Sequence, residues 1–560
     1  MRPTRFTALL ALALAGAALA QPPQQASAPA AQAVTPASSE FSADRFKAHV
    51  AFLADDALEG RDTGSRGYDV AAAYVASQFM ALGLQPGGEK GSWYAQVPFR
   101  SAVVEGTPTV TVSGRAGSQS WDNGTEVLVR ASLQERAQDV TAPVVFVGYG
   151  LDSPAQGLND YKGLDVRGKI VVAFAGMPSG IDSEIAAYLG DQKEAMAAKR
   201  GAVGFVTVAT SRYAKQRPWA VLKTGTGRAS LGWVGKDGKP QDEAPGLRVT
   251  AGVNDPVAEA LFAGAKRSFA QVRAQADDPA ARPKGFALKT RMRLQRRSAW
   301  TSLQSPEVIG MLPGSDPKLK EEYVILMGHL DHLGIRKAAK EGEDRVYNGA
   351  LDNAAGIATM LEAARAFATS GERPRRSILF IANTAEEKGL LGASHYAANP
   401  TVPIGKIAGA VDLDMPLLLY RFTDVVAFGA DHSTVAEAVG RAAAKMGLGL
   451  SPDPMPEENI FVRSDHYEFV RKGVPAILLA TGFANGGGDK WAWFFKNAYH
   501  KVGDDMSLPI DWASGARYAE LNYLISRELA NADQRPRWYK GDFFGDLFAP
   551  GKPRADRPNK

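Results

Sequence analysis

Histidine and carboxylate side chains carry the reactive potential of this sequence. The chain has seven histidines in 560 residues and no cysteine. The missing cysteine excludes disulfides, thiolate zinc sites, iron–sulfur clusters and a cysteine nucleophile, so any metal must be held by His, Asp and Glu. Three short segments place histidine beside aspartate: His329-Leu330-Asp331-His332, Asp431-His432 and Asp465-His466.

Several of these residues stand where strands of a parallel sheet are predicted to end. His329 closes the apolar run YVILMGH, and Asp352 opens the helix after the next loop. Glu386 and Glu387 end the run SILFIANTAEE, and Asp414 lies near the end of IAGAVDLDM. Ligands of open α/β sheets bind at the carboxyl ends of the strands. We therefore expect these five side chains to lie at one edge of one sheet.

Each acid also has a purely structural interpretation. An Asp before a helix, such as Asp352, is most often an N-cap. The pair Glu386-Glu387 is typical of a solvated first helical turn, where the macrodipole favours negative charge. Asp412 and Asp414 are harder to explain in this way, because two carboxylates in an apolar strand are costly unless they are paired or metal-bound. If all of these interpretations held, acids and a histidine would stand at successive strand ends only by chance.

The elements that must position these residues are apolar runs that alternate with helices. From residue 301 onwards, unbroken apolar runs alternate with Ala-rich helical segments, which predicts a mostly parallel sheet covered on both faces. Residues 101–300 instead contain short β-rich runs separated by Gly, Pro and Asp, which predicts a separate β-rich domain. Residues 41–84 have helical spacing. The segment 531–560 is rich in Pro, Arg, Lys and Asp, and we expect a polar, peripheral tail.

The N-terminus indicates export. Arg2 and Arg5 precede an apolar run that ends in Ala-Leu-Ala, so residues 1–20 resemble a cleavable signal peptide, with an uncleaved anchor as the alternative. Residues 21–40 are rich in Gln, Pro, Ala and Ser and are predicted to be a disordered spacer. We expect a periplasmic or extracellular protein without a stable membrane anchor. The net charge of +5 is small for this length and gives no argument for nucleic acid as a partner.

Six sequence blocks together resemble the zinc aminopeptidases of peptidase family M28. In chain order they are GHLDHLG, NGALDNAAG, TAEEKGLLGASHY, VDLDM, RSDHYEFVRKGVPAI and NAYHKVGDD. LEGRDTGSRG, followed by a helix and LGLQP, resembles the start of that catalytic domain. The β-rich middle, with VVFVGYGL and AAKRGAVGFVTV, resembles a protease-associated (PA) domain. The implied fold is α/β: a mixed, mostly parallel sheet sandwiched by helices over 41–100 and 301–530, with a PA domain inserted at 101–300.

The resemblance implies two Zn²⁺ ions per chain. His329 and Asp414 would hold one ion, Glu387 and His500 the other, and Asp352 would bridge the two. The family's last motif usually reads His-Thr-Pro, whereas here the ligand is followed by Lys and Val. The ligand is present, and the conformation of the turn beside it is left open. Manganese or cobalt would also suit such a nitrogen and oxygen site.

The resemblance also suggests residues that act on substrate. Glu386 would be the general base, and Asp331 would orient the ligand His329. The segment with Asp465 and His466 resembles a substrate-facing loop, in which an imidazole could hydrogen-bond the scissile carbonyl or its oxyanion. A structural Asp–His pair is the alternative there. The neighbouring Arg463 could pair with a substrate carboxylate or simply lie on the surface, and His332 is left without a role.

These expectations describe an exported dizinc exopeptidase that releases N-terminal residues from peptides. In such a site, two zinc ions about 3.5–4 Å apart would activate a water molecule and polarise the peptide carbonyl. A carboxypeptidase or dipeptidase on the same scaffold is the nearest alternative. A one-zinc transferase resembling glutaminyl cyclase and a catalytically inactive binding protein are further alternatives, but the complete ligand set argues against both.

Overall fold

The computed structural model describes residues 38, 40–115, 117–337 and 340–558. The predicted signal peptide and nearly all of the predicted spacer lie outside these residues. The described residues divide into two compact units, one of residues 98–303 and one of residues up to 97 together with those from 304 onwards. We call the first the inserted unit and the second the peptidase unit. The sequence analysis predicts the insertion at 101–300.

The peptidase unit is built on one mixed sheet. Its central strand, Tyr323–His329, runs parallel to Ser377–Asn383 on one side and to Ile407–Asp412 on the other. These strands are buried along both faces, as expected for a parallel sheet between helices. The strands of the unit are Gln85–Pro86, the final part of Phe286–Leu312, Tyr323–His329, Gly334–Ile335, Val346–Tyr347, Ser377–Asn383, Ile407–Asp412, Asp424–Phe428, Gly449–Ser451 and Ala476–Thr481.

Helices flank this sheet. The Ala-rich helix Ala355–Thr369 is almost entirely buried and contacts the helices Ala43–Leu53 and Trp512–Asn531. The α-helices of the unit are Ala43–Leu53, Arg66–Ala81, Ala355–Thr369, Leu391–Ala398, Val435–Lys445, His466–Val470, Gly487–Asn497, Trp512–Asn531 and Phe543–Phe548. The mixed, mostly parallel sheet with flanking helices that the sequence predicts is confirmed. Within the described part of the chain, we find no helix that is both long and apolar enough to cross a membrane.

The inserted unit has its own core and a higher share of strands. Phe146 lies at the centre of this core, with the rings of Phe174, Phe262 and Phe286 packed edge-on around it. Its strands are most of Tyr94–Gly114, Gly117–Asp122, Val127–Leu128, Ala137–Phe146, Asp152–Ser153, Leu158–Asn159, Ile170–Ala175, Gly204–Ala209, Ser230–Trp233, Val249–Val253 and the first part of Phe286–Leu312. Its α-helices are Ser183–Asp191, Lys193–Lys199, Ser211–Gln216, Trp219–Lys223, Asp255–Leu261 and Phe269–Asp277.

The C-terminal segment differs from the sequence prediction. Trp538 and Phe544 are buried, and the indole nitrogen of Trp538 donates a hydrogen bond to the carbonyl of Gly473 at 3.2 Å. The ring of Phe544 packs edge-on against that of Phe461 at 5.3 Å. The prediction of a peripheral tail at 531–560 is therefore wrong. The segment 531–560 is polar on average, but the aromatic side chains of Trp538 and Phe544 are buried in the peptidase unit.

Candidate metal centre

The parallel strands gather the candidate ligands at one edge of the sheet. His329 is the last residue of its strand and is paired in register with Asn383, the last residue of the neighbouring strand. Glu386 and Glu387 follow that neighbouring strand within four residues, and Asp414 follows the strand on the other side by two. Because parallel strands in register end together, these side chains reach the same region.

A first group of ligand atoms forms around His329. Its Nε2 lies 3.2 Å from Oδ1 of Asp352 and 3.1 Å from Oδ1 of Asp414. Its Nδ1 lies 3.0 Å from the backbone carbonyl of Asp331, which can only accept a hydrogen bond. Nδ1 therefore carries a proton, which leaves Nε2 as the nitrogen that can bind a metal ion shared with the two carboxylates.

A second group forms around Glu387. Its Oε1 lies 3.3 Å from Nε2 of His500 and 2.8 Å from Nδ1 of His332. Nε2 of His500 also lies 3.1 Å from Oδ2 of Asp352. The two carboxylate oxygens of Asp352 thus face different groups, Oδ1 the first and Oδ2 the second, which is the arrangement of a bridging ligand.

The donor sets of both groups fit divalent metal ions. Oδ2 of Asp352 and both carboxylate oxygens of Glu387 are buried and have no hydrogen-bond partner among the described residues. Buried carboxylates without partners are costly, and bound cations would compensate their charge. Burial acts to raise the pKa of Asp352, but contacts from His329 and His500 outweigh burial and hold that pKa well below its ordinary value. Imidazole nitrogens with carboxylate oxygens are the donors that Zn²⁺ prefers at sites without cysteine.

Asp352 sits in an irregular turn rather than at a helix cap. The following helix, Ala355–Thr369, begins after Ala354, so the interpretation of Asp352 as an N-cap is wrong. The two carboxylate oxygens of Asp504 accept hydrogen bonds from the backbone N–H groups of Leu351 at 2.9 Å and Asp352 at 3.0 Å. The peptide bond after Asp352 is cis. Asp504 therefore fixes the turn that presents the shared carboxylate.

Glu386 borders a cavity beside both groups. Its backbone N–H donates to Oδ1 of Asp331 at 3.1 Å, and that of Glu387 donates to Oδ2 of the same carboxylate at 3.3 Å. The next helix begins only at Leu391, so the interpretation of the two glutamates as a first helical turn is wrong. Burial raises the pKa of the Glu386 carboxyl well above its ordinary value, and the facing carboxylate of Asp414 adds to this rise.

Asp331 acts differently from the sequence expectation. Its backbone carbonyl, rather than its carboxylate, contacts the His329 ring. The carboxylate accepts hydrogen bonds from the turn of Glu386 and Glu387 and from the hydroxyl of Thr63 at 3.2 Å. Two backbone N–H donors are strong partners for a buried acid, and they draw the side chain away from the histidine. Burial raises the pKa of Asp331 to about 6.

Two of the three predicted substrate-binding residues are buried away from the cavity. Asp465 accepts a hydrogen bond from the side-chain amide of Asn383 at 2.7 Å. Nδ1 of His466 lies 3.3 Å from Oδ2 of Asp412, so its partner is not the preceding aspartate. The partners of both side chains, Asn383 and Asp412, are the last residues of their strands, so both side chains point toward the sheet. The prediction that they face substrate is therefore wrong, whereas Arg463 does border the cavity.

The cavity combines acidic and apolar walls. It has a volume of about 80 Å³ and is bordered by Asp352, Glu386, Asp414 and His500 from the two groups. The ring of Tyr499 stacks on that of His500 with 3.9 Å between centroids. The apolar wall consists of Met415, Phe428, Ile460, Leu478, Ala480, Trp491, Phe495 and Tyr499.

Arg61 is a supporting residue that the sequence analysis did not single out. Its guanidinium is buried and donates to the carbonyls of Leu53, Leu330 at 2.9 Å, Asn348 at 2.6 Å and Gly349 at 3.1 Å. It thereby joins the loop after His329 to the loop before Asp352. The motif LEGRDTGSRG contained the signal, because an arginine among glycines is a suitable donor to converging loop carbonyls.

Comparison with known proteins gives one family match. Residues 307–525 match the model of peptidase family M28. Leupeptin-inactivating enzyme 1 of Streptomyces exfoliatus is 31% identical over 175 residues, which cover 30% of this chain and 34% of that protein. Carboxypeptidase Q of Mus musculus is 27% identical over 194 residues, 34% of each protein. The chain spans only about a tenth to a third of the length of the curated relatives that it matches.

Among solved structures, an aminopeptidase from Aneurinibacillus sp. strain AM-1 is 20% identical with a TM-score of 0.49, covering 88% of this chain and 94% of that one.

Proposed function

We propose that this chain is an exported dizinc aminopeptidase of peptidase family M28 that releases N-terminal residues from peptides. The observation that carries the proposal is the shared carboxylate of Asp352 between two groups of metal-ligand atoms. A cavity adjoins both groups, and a further carboxylate, Glu386, faces it.

The two groups assign the ligands. His329, Asp414 and Asp352 would hold one zinc ion, and Glu387, His500 and Asp352 the other. When bound, two zinc ions lower the pKa of water and polarise a peptide carbonyl. Asp352 would be shared by the two ions, and it lies in a turn that Asp504 holds in place.

Glu386 is the residue placed to move protons. Its carboxylate borders the cavity, while its backbone N–H is held by Asp331. Its side chain would accept a proton from the attacking water and deliver it to the nitrogen of the leaving amine. Burial raises the pKa of Glu386 above its ordinary value, which makes the ionised carboxylate a stronger base toward the attacking water.

The charges around the cavity favour an N-terminal substrate. A carboxypeptidase needs a cation for the terminal carboxylate of its substrate. Among the described residues that border the cavity, Arg463 is the one Lys or Arg side chain, and its Nη1 already lies 3.2 Å from Oε2 of Glu458. The other ionisable side chains at the cavity are mainly acidic, and their negative potential favours the ammonium group of a peptide N-terminus over a terminal carboxylate.

The N-terminal segment and the inserted unit support two further parts of the proposal, export and a PA domain. The charged start, apolar run and Ala-Leu-Ala site of residues 1–20 support export to the periplasm or the extracellular space. The strand-rich inserted unit, with its resemblance to PA sequences, supports a PA domain inserted in the peptidase sequence.

The test is a cleavage assay with blocked dipeptides, using the zinc-loaded mature chain with and without chelator. An aminopeptidase cleaves a free and a C-amidated dipeptide, fails on an N-acetylated one and stops with chelator. Glu386→Gln should lose most turnover while keeping its zinc, whereas Glu457→Gln, an exposed change in the cavity loop, should not alter turnover. Cleavage that survives acetylation but not amidation would make the protein a carboxypeptidase. Bound zinc without cleavage of any of these peptides would favour a binding protein instead.

A further inference from the structure

His332 is a buried histidine for which neither the sequence nor the proposed reaction supplies a role. It is fully buried, and its Nδ1 lies 2.8 Å from Oε1 of Glu387. Together with Asp352 and Glu387, it forms a set of donor atoms close enough to hold one ion. His500 reaches the same two acids from the other side.

The contacts in this second group do not have the geometry of hydrogen bonds. Among the described residues, neither ring nitrogen of His332 has a hydrogen-bond partner, and neither carboxylate oxygen of Glu387 has one. Two ligand atoms that each lie about 2.0–2.1 Å from one ion are about 2.8–3.4 Å apart when they subtend about 90–110° at it. The distances here are 2.8 Å from His332 to Glu387, 3.3 Å from His500 to Glu387 and 3.1 Å from His500 to Asp352. All three fall within that range.

The backbone around His332 fixes the direction of its ring. The N–H of His332 donates to the carbonyl of Arg61 at 3.1 Å. The ring packs against Gly349, where an added Cβ would lie only 2.7 Å from Cγ and Cδ2 of the imidazole. Glycine is therefore needed at residue 349, which also has a positive φ of 58°. The ring is held by packing, and its Nδ1 is aimed into the second group.

From this geometry we propose that His332 is a metal ligand: through Nδ1, it binds the ion that Glu387, His500 and Asp352 also hold. The inference rests on the proposed function, because it adds a ligand to the second of the two zinc sites. No other part of the proposed reaction depends on it.

The extra ligand makes the two zinc sites unequal. The first site keeps three protein ligands and an open position, as in catalytic zinc sites. The second would have four, the number typical of closed structural zinc sites. The second ion should therefore be retained more tightly, and water and substrate should exchange at the first.

The test compares zinc binding and zinc coordination in wild type and His332→Asn. The side-chain amide of Asn can place an N–H donor near the position of Nδ1 but is a poor zinc ligand. The variant would therefore preserve a hydrogen bond to Glu387 and remove coordination. Zinc affinity would be measured by competition with a chromophoric chelator, and imidazole ligands would be counted by X-ray absorption. His49→Asn is the matched control, because Nδ1 of His49 contacts the hydroxyl of Tyr74 at 2.8 Å, away from both metal groups.

We expect wild type to show three imidazole ligands for two zinc ions and His332→Asn to show two. In His332→Asn, the affinity for the second zinc ion should fall by more than the roughly 10–100-fold that is lost when a residue that only contacts a ligand is removed. The affinity for the first ion should stay unchanged. The control should keep both affinities. Two imidazoles in wild type, or unchanged affinities in His332→Asn, would overturn the inference. The wild-type count decides the matter even if the variant fails to fold. If wild type binds only one zinc ion, the two-metal proposal is overturned instead. In that case, two imidazole ligands at the single ion would still support His332 as a ligand, and one imidazole would not.

Discussion

Arg61→Met is expected to destabilise the peptidase unit and loosen both metal sites. The change keeps an apolar stem of similar length but removes the guanidinium that joins the loops at residues 330 and 348–349. His329 and Asp352 lie within four residues of these anchors. The loops would then no longer be held at the spacing that the two ligands need.

The structure sets the size of the effect. Four buried carbonyls lose a charge-assisted hydrogen bond, which costs about 1.5–3 kcal/mol each, or about 6–12 kcal/mol together. Part of this loss is offset, because burial of the guanidinium is itself unfavourable: it lowers the pKa of Arg61 to about 10. At about 1.4 kcal/mol per pKa unit, that penalty is about 3 kcal/mol. The net loss of stability is about 3–9 kcal/mol by these values. Zinc affinity should fall about 10–100-fold, as for loss of a supporting contact.

The assay combines denaturant unfolding with zinc titration. Arg61→Lys should recover only part of the loss, because an ammonium has three donors and cannot span four carbonyls. Arg66→Met, an exposed change in the next helix, should stay within about 0.5 kcal/mol of wild type. Wild-type stability together with wild-type zinc affinity in Arg61→Met would refute the bridging role.

Three further changes test other parts of the structure. Glu386→Gln should lower kcat by about 10²–10⁴-fold with zinc content unchanged; a turnover close to wild type would exclude its role as general base. Gly349→Ala would place a Cβ 2.2 Å from the carbonyl oxygen of Asp352 and should lose zinc affinity, whereas Gly371→Ala, with a similar positive φ and open space around it, should not. Equal zinc affinity in the two glycine variants would show that crowding is not the cause. Burial lowers the pKa of Lys193 from 10.5 to about 7, so between these values the unfolded chain binds the extra proton and stability rises with pH. Relative to Lys193→Met, unfolding of the wild-type inserted unit should therefore become harder by at most about 1.4 kcal/mol per pH unit between pH 7 and 10, measured by calorimetry; parallel pH profiles would contradict the shift.

The positions of the ligand residues could be predicted from the sequence, because apolar runs mark where the buried strands end. YVILMGH, SILFIANTAEE and IAGAVDLDM each reveal where a buried strand stops. Parallel pairing then brings their ends to one edge, and His329, Glu387 and Asp414 meet there without any further information.

The directions of side chains in the turns could not be read in the same way. Asp465 and His466 share a motif with Arg463, but their side chains point inward to Asn383 and Asp412 at the ends of two strands. Asp331 stands next to a ligand, yet two backbone N–H donors attract its carboxylate to another turn. Such outcomes depend on backbone geometry, including the positive φ of Ala385, which residue type alone does not reveal.

Zinc content of single-ligand variants would test the shared two-metal centre. The metal-free chain would be loaded with zinc, dialysed and analysed by mass spectrometry. The geometry predicts two held ions in wild type, one in Asp414→Ala, whose carboxylate serves only the first group, and reduced zinc at both sites in Asp352→Ala, whose carboxylate serves both. A wild type with one ion, or an Asp352→Ala variant that keeps two, would contradict a bridged dizinc centre.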